Sequence, residues 1–182
     1  MPLEPLLARI DPQGTIPPVD RWNPPLSGDM DLVIAADGRW IHEGVAMARP
    51  QLIRLLSTVL RHEADGDYYL VAPQEKWRIR VEDRPFLVVD AEVDSGGWVL
   101  TTNVGDRVVL DASHPFTLSQ TPSGEEVPEV PVRFGLSARL NRNVYYRLVE
   151  RAEVREWAGG TELGLTSHDH WHILGRLDAD AS

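Results

Sequence analysis

Three histidines alternate near the end of the chain, at His168, His170 and His172. On a strand, alternate side chains share a face and stand about 6.5–7 Å apart, and imidazole is a common ligand of zinc, nickel and copper. No carboxylate stands at a spacing that completes such a set, so the alternation reads as a solvated strand face and predicts no metal site. His42-Glu43 and His62-Glu63 both fall short of the zinc-protease helix motif, because no histidine follows four residues later. His62 instead suits the last turn of a helix, where a cation favours the helix dipole. Glu82-Asp83 offers paired carboxylates. Adjacent strand residues point oppositely, so joint acid–base work by these two needs the turn suggested by Asp83-Arg84-Pro85. With no cysteine, thiol catalysis, disulfides and iron–sulfur clusters are excluded. No phosphate-loop, dinucleotide or nucleophile-elbow motif occurs.

Arginine is the other chemistry-bearing residue. Of 18 basic residues, only Lys76 is lysine. Arginine holds carboxylates and phosphates through two parallel hydrogen bonds, which lysine does poorly. Arg133, Arg139, Arg142 and Arg147 surround the start of the second predicted helix, where free N–H groups and positive potential could complete a phosphate cradle. Tyr145 and Tyr146 lie beside them and could stack on a base. The net charge of −10 argues against a nucleic-acid polymer or an anionic membrane face as a constant partner.

The elements that must position these residues follow from pattern. Residues 1–27 hold seven of the 14 prolines, which predicts a surface arm with no regular element beyond a short helical turn, pinned by Trp22. Leu32–Ile34 and Arg39–His42 flank the hairpin signal Asp37-Gly38. Pro50 opens a helix whose apolar positions run Leu52, Ile53, Leu55, Leu56, Val59 and Leu60, ending before Asp65-Gly66. Strands follow at 68–71, 76–81 and 85–93. Further strands are predicted near 98–102, 107–110 and 115–118, then a polar loop over 119–129. Val130, Val132, Phe134 and Leu136 alternate as a strand, with Pro131 marking an edge. A second helix is capped by Asn143 or Asn141, buries Val144, Tyr145, Leu148, Val149 and Ala152, and ends at Gly159-Gly160. Strands at 162–166 and 170–174 close the chain.

The unit strand, helix, hairpin thus occurs twice. At an offset of 94 residues Trp40 meets Phe134, Trp77 meets Trp171 and Gly66 meets Gly160; at 93 the helices match, Leu52 with Tyr145 and Leu56 with Val149. Each half is small enough to need the other's support, so face-to-face packing is expected, with a ligand cleft between the halves.

Several motifs resemble a bacterial domain-of-unknown-function family. They are Gly38-Arg39-Trp40-Ile41-His42-Glu43-Gly44, Arg49-Pro50-Gln51-Leu52, Asp65-Gly66-Asp67-Tyr68-Tyr69-Leu70-Val71 and Val81-Glu82-Asp83-Arg84-Pro85-Phe86. Val132–Leu136 and Asn143–Val149 complete the set, and the resemblance spans residues 20–175. It implies a duplicated β-rich core with a superficially pleckstrin-homology-like C-terminal half. It also implies a nucleotide-like ligand between the halves and a role in signal transduction.

The expected fold is α+β, mainly β: an arm over residues 1–27, modules over 28–94 and 95–177, and a tail over 178–182. No run approaches the roughly 20 apolar residues of a membrane span, and the expected location is cytoplasmic. The leading reading is a non-enzymatic module that holds a small anionic ligand through Trp40, His42, Arg133, Arg139, Asn143 and Tyr145, with no cofactor. The alternatives are an enzyme using His42 with Glu82 or Asp83, and a protein-interaction domain.

Overall fold

The computed structural model describes residues 3–178, which divide into two compact units. The first holds the described residues up to Pro85 together with Arg133–Leu136; the second holds Phe86–Val132 and the remainder from Ser137. Among the described residues no helix is long and apolar enough to cross a membrane.

In the first unit a short helix α1 (Leu3–Leu7) and a 3-10 turn (Val19–Arg21) lead into β1 (Gly28–Ile34), β2 (Trp40–His42) and β3 (Val45–Ala46). Helix α2 (Pro50–Ser57) precedes β4 (Leu60–His62), β5 (Tyr68–Ala72) and β6 (Glu75–Val81). The sheet order is β3-β2-β1-β6-β5-β4, antiparallel except for β1 beside β6. Leu32, Ile34, Trp40, Leu56, Leu60 and Leu70 form its dry interior, each at most 1 % exposed.

Two expectations are corrected here. Helix α2 ends at Ser57, short of the Leu60 its apolar spacing predicts. Ser57 Oγ and Thr58 Oγ1 each donate to a carbonyl three residues back, at 2.6 Å, and β-branched Thr58 and Val59 then favour the extended chain. Leu60 is buried from a strand instead, with Arg61 on the opposite face. The proline-rich arm is not merely superficial either: Leu3, Leu6, Ile10 and Val19 are all buried.

The second unit begins with β7 (Phe86–Asp94), β8 (Gly97–Thr102) and β9 (Arg107–Val109), then β10 (Thr117–Gln120), β11 (Glu126–Arg133) and β12 (Leu136–Leu140). Their order is β10-β11-β12-β7-β8-β9, with β12 and β7 parallel. Strand β7, grouped by sequence with the first module, hydrogen-bonds within this sheet. The predicted loop over 119–129 is largely a hairpin between β10 and β11. Pro131 lies beyond the last β10 pair, Thr117 with Glu129, where its missing N–H faces no strand on that side.

Helix α3 (Arg142–Glu150) follows, then an antiparallel meander of β13 (Glu153–Trp157), β14 (Gly160–Ser167) and β15 (His170–Asp178). The helix stops at Glu150 and does not reach Gly159-Gly160, because Glu153–Trp157 pairs with β14. The predicted tail lies, from residue 179 on, outside the described residues.

The fold is mainly β and its architecture is duplicated. Each six-stranded sheet joins two three-strand groups through a parallel pairing of its first and last strands, β1 with β6 and β7 with β12. The helix-plus-meander run also recurs, as α2-β4-β5-β6 and α3-β13-β14-β15. Two sequence correspondences slip. Phe134 sits in a turn while Trp40 is in a strand. Turn pairs Ala72 with Glu75 and Ser167 with His170 stand 95 residues apart, so Trp77 is equivalent to His172, and buried Ile79 to buried Leu174.

The β14–β15 pairing bulges between Leu163 and Gly164, and a methyl group on Gly164 would overlap the His172 carbonyl and the Trp171 ring. Gly164→Ala should therefore cost more than about 2 kcal/mol. Gly66→Ala, at a φ of +88° but with open space around it, should cost about 1 kcal/mol. Urea denaturation of both variants gives the comparison.

Candidate functional site

The six residues expected to contact ligand divide between the units. In the first, Trp40 is fully buried and its Nε1 has no hydrogen-bond partner among the described residues, so it offers no ring face to a ligand. His42 ends β2, its Nε2 4.0 Å from Glu43 Oε1. Arg133 Nη1 donates to the Ser57 carbonyl at 3.0 Å.

In the second unit, Arg139 is 3 % exposed. Its Nη1 donates to the carbonyls of Ser119 and Val127 and to Ser119 Oγ, at 3.1, 2.6 and 2.8 Å, and its Nη2 to the Gln120 carbonyl at 3.2 Å. That guanidinium knits β10 to β11. Asn141, not Asn143, caps α3, its Oδ1 accepting from Val144 N at 2.9 Å; Asn143 is exposed. Tyr145 Oη donates to the Leu174 carbonyl at 3.2 Å. Arg142 reaches Glu125 at 3.6 Å, and Arg147 reaches Asp90 at 3.0 Å and the Ala91 carbonyl at 2.8 Å. The arginines around the helix start thus have protein acceptors of their own.

Nor does strand register bring His42 to Glu82. Leu32 is opposite His42 and Val81 is opposite Ile34, so Glu82 lies two strands across and three residues along, roughly 14 Å away. Glu82 Oε1 instead accepts from Ala36 N at 3.1 Å, and Asp83 lies 3.7 Å from Arg84. Of the three alternating histidines, His168 sits in the turn with φ 47°, His170 is exposed and His172 is 1 % exposed. His172 packs edge-on to Phe116, and burial pushes it below the usual imidazole range.

What the structure does assemble is a charged row across the first unit's sheet. Arg61 on β4 is opposite Tyr69 on β5, Tyr69 is opposite Arg78 on β6, and Arg78 is opposite Asp29 on β1, so all four share a face. Arg61 Nη1 donates to the arm carbonyls of Val19 and Trp22 at 2.7 and 2.6 Å, while its Nε and Nη2 both bond Glu63 Oε2. Lys76 Nζ reaches the same carboxylate at 3.1 and 3.3 Å and lies 4.6 Å from the Tyr69 ring centre. Tyr69 Oη donates to Asp65 at 2.5 Å, which lowers the Asp65 carboxyl and raises the Tyr69 phenol. Burial pushes Glu63 up, but the hydrogen bonds and charges of Arg61 and Lys76 outweigh it and hold the carboxyl below its ordinary range.

Beside this row an open cleft of about 480 Å³ is lined by Arg21, Trp22, Arg61, His62, Glu63 and Phe134, among others. Trp22 and Phe134 pack against a cluster of Val19, Tyr69 and Val71. Phe134 holds φ 49° ahead of Gly135 at 74°, in a turn where asparagine is the usual occupant; a bulky residue there marks local strain. His62 lies on strand β4, not a helix end. Its Nδ1 donates to the Gly135 carbonyl at 3.2 Å, its ring stacks on Tyr68 at 4.3 Å, and Nε2 is left as the second ring nitrogen. Arg21 is exposed and makes no side-chain hydrogen bond or ion pair among the described residues. The signals for this site were faint: Phe134 where Asn-Gly belongs, and the alternate spacing of Arg61 and Glu63.

Arg139→Met strands four acceptor contacts and should cost about 2–4 kcal/mol. Arg142→Ala removes only an exposed pair and should stay within about 0.5 kcal/mol; chemical denaturation separates the two. Glu63 supplies a pH test. Its folded pKa is depressed, so its contribution is present above the ordinary value of 4.5 and is lost as pH falls through the lower folded value. Thermal midpoints of the wild type and Glu63→Gln should differ at neutral pH and converge in acid.

Two family models match the chain: DUF1285 N-terminal domain, a domain of unknown function, over residues 17–84, and DUF1285 C-terminal domain, a protein of unknown function, over residues 85–174. No curated protein matches. Among solved structures, a DUF1285 family protein from Silicibacter pomeroyi DSS-3 is 39 % identical with a TM-score of 0.86, over 96 % of this chain and 95 % of that one. Another, from Shewanella baltica OS155, is 27 % identical with a TM-score of 0.54, over 66 % of this chain and 91 % of that one. With both of its units matched in order, the chain belongs to the DUF1285 family.

Proposed function

We propose that the chain is a non-enzymatic binding module for a small, flat anion of nucleotide-like character, and that the cleft of the first unit is where it binds. The observation that carries this reading is the convergence of unequal groups on one opening. Trp22 and Phe134 supply aromatic surface, His62 a ring nitrogen, and Arg21 a cation without a protein acceptor among the described residues. A flat heterocycle gains from stacking on such rings, and an anionic group gains charge-assisted hydrogen bonds from a guanidinium. The neighbouring cation Arg61 is engaged by Glu63 and the arm carbonyls, so it shapes the cleft and leaves Arg21 to meet the ligand. The floor is a network of satisfied charges, which keeps the rings in place before anything binds.

In this reading the protein works in the cytoplasm, where occupancy of the cleft is sensed in signal transduction and the C-terminal unit, read as pleckstrin-homology-like, offers surface to a partner. A thermal-shift and calorimetric panel of nucleoside monophosphates and diphosphates, free nucleosides and inorganic phosphate tests the binding step. A nucleotide at a hundred times its Kd should stabilise the fold by about 2.7 kcal/mol. Arg21→Ser should leave the apo midpoint unchanged and weaken a nucleotide about tenfold or more, with little effect on the corresponding nucleoside. A panel with no shift at millimolar concentration, or a shift indifferent to Arg21, would overturn the reading.

A further inference from the structure

Strand β13 is exposed at every residue, from Glu153 to Trp157. It lies at the edge of its sheet, in the order β13-β14-β15, and among the described residues pairs with β14 alone. An exposed edge presents a row of free N–H and C=O groups to any strand that fits. Natural edges are guarded by charged side chains, proline, a bulge or a covering element; β13 carries charges of both signs but no proline, and the irregularity in this sheet falls between β14 and β15.

Its sequence, Glu153-Val154-Arg155-Glu156-Trp157, chooses the occupant. In a two-fold antiparallel pair each residue must face its counterpart about a central residue, since both members of a pair turn their backbone groups the same way. Centring on Arg155 sets arginine against arginine, and centring on Glu156 sets glutamate against glutamate; like charges directly opposite destabilise a sheet. Centring on Val154 sets valine against valine, and Glu153 against Arg155 twice. Centring on Glu153 again opposes glutamates, and centring on Trp157 sets Glu156 and Arg155 against Ala158 and Gly159 of the turn, so only the Val154 register pairs opposite charges. Val154 is 65 % exposed, and it shares its face with Leu163 and Leu177, the latter 69 % exposed.

The charges are also unspent. Neither Glu153 nor Arg155 makes an ion pair or side-chain hydrogen bond among the described residues. The Arg155 guanidinium lies 4.0 Å from the centre of the Trp171 ring on β15, inward across β14, and pairing with a partner's Glu153 turns it outward. Trp171 is itself fixed by donating to Glu162 at 3.2 Å, and Glu162 also accepts from Arg176 at 3.1 Å.

We propose that β13 is a homodimerisation edge, and that a second copy of this chain adds its own β13 antiparallel in the Val154-centred register to make a continuous six-stranded sheet. The paired stretch is short, so the dimer is weak and concentration-dependent.

Sedimentation velocity from about 5 to 500 µM, with circular dichroism to verify folding, is the test. The wild type should shift toward dimer over this range. Arg155→Glu and Glu153→Arg should each weaken association by about tenfold or more, because each places like charges opposite twice. The double swap, Glu153→Arg with Arg155→Glu, should restore it. Val154→Lys should give monomer at every concentration. A wild type that stays monomeric throughout would overturn the proposal. So would a dimer that ignores all four variants, or one that the double swap fails to rescue.

Discussion

Proline removes backbone donors from the N-terminal arm, and in the first unit one guanidinium supplies donors to its carbonyls. Arg61 has five donors in a rigid fork. It directs Nη1 at the carbonyls of Val19 and Trp22 and turns its remaining edge to Glu63. The arm is thereby held where Val19 and Trp22 can meet Tyr69 and Val71, and the side wall of the cleft follows. Lysine at position 61 could offer a charge but not two diverging edges at once.

Such a partly buried fork is tolerable because its charge is answered. Glu63 takes both Arg61 and Lys76, so two cations share one carboxylate, and the Tyr69 ring lies under Lys76. Removing one member would leave another cation half desolvated, which is worse than never having buried the group. The second unit repeats the device with a different sequence: Arg139 lies nearly buried among carbonyls of β10 and β11. Most arginines identified by sequence as anion holders are spent in this way, whereas Arg21 is exposed and unpaired among the described residues.

Parallel pairing of first and last strands accounts for the doubled architecture. A three-strand meander leaves an outer edge unsatisfied; setting β1 beside β6, or β7 beside β12, lets two meanders cover one edge of each other. Among the described residues the meander β13-β14-β15 has no second meander beside β13. The joined meanders keep β3 and β4, or β10 and β9, as their outer edges, and the unjoined one keeps both of its own, β13 and β15.

The sequence by itself determined the mainly β class, the Asp37-Gly38 hairpin, the start of α2 at Pro50 and the existence of a repeat, because these rest on local turn chemistry and on side-chain period. It misjudged where both helices end: Leu60 and Val154 fit either a helical or an extended spacing over so short a run, and only their strand partners Leu70 and Leu163 resolve the ambiguity. It also placed the site on residues of the right chemical type that the fold consumes, Trp40 in a core and Arg139 among carbonyls. Whether a guanidinium is free or spent depends on which distant carbonyls reach it. Ser119, Val127, Val19 and Trp22 come within hydrogen-bond range only through long-range strand pairing and chain packing, which no local spacing encodes.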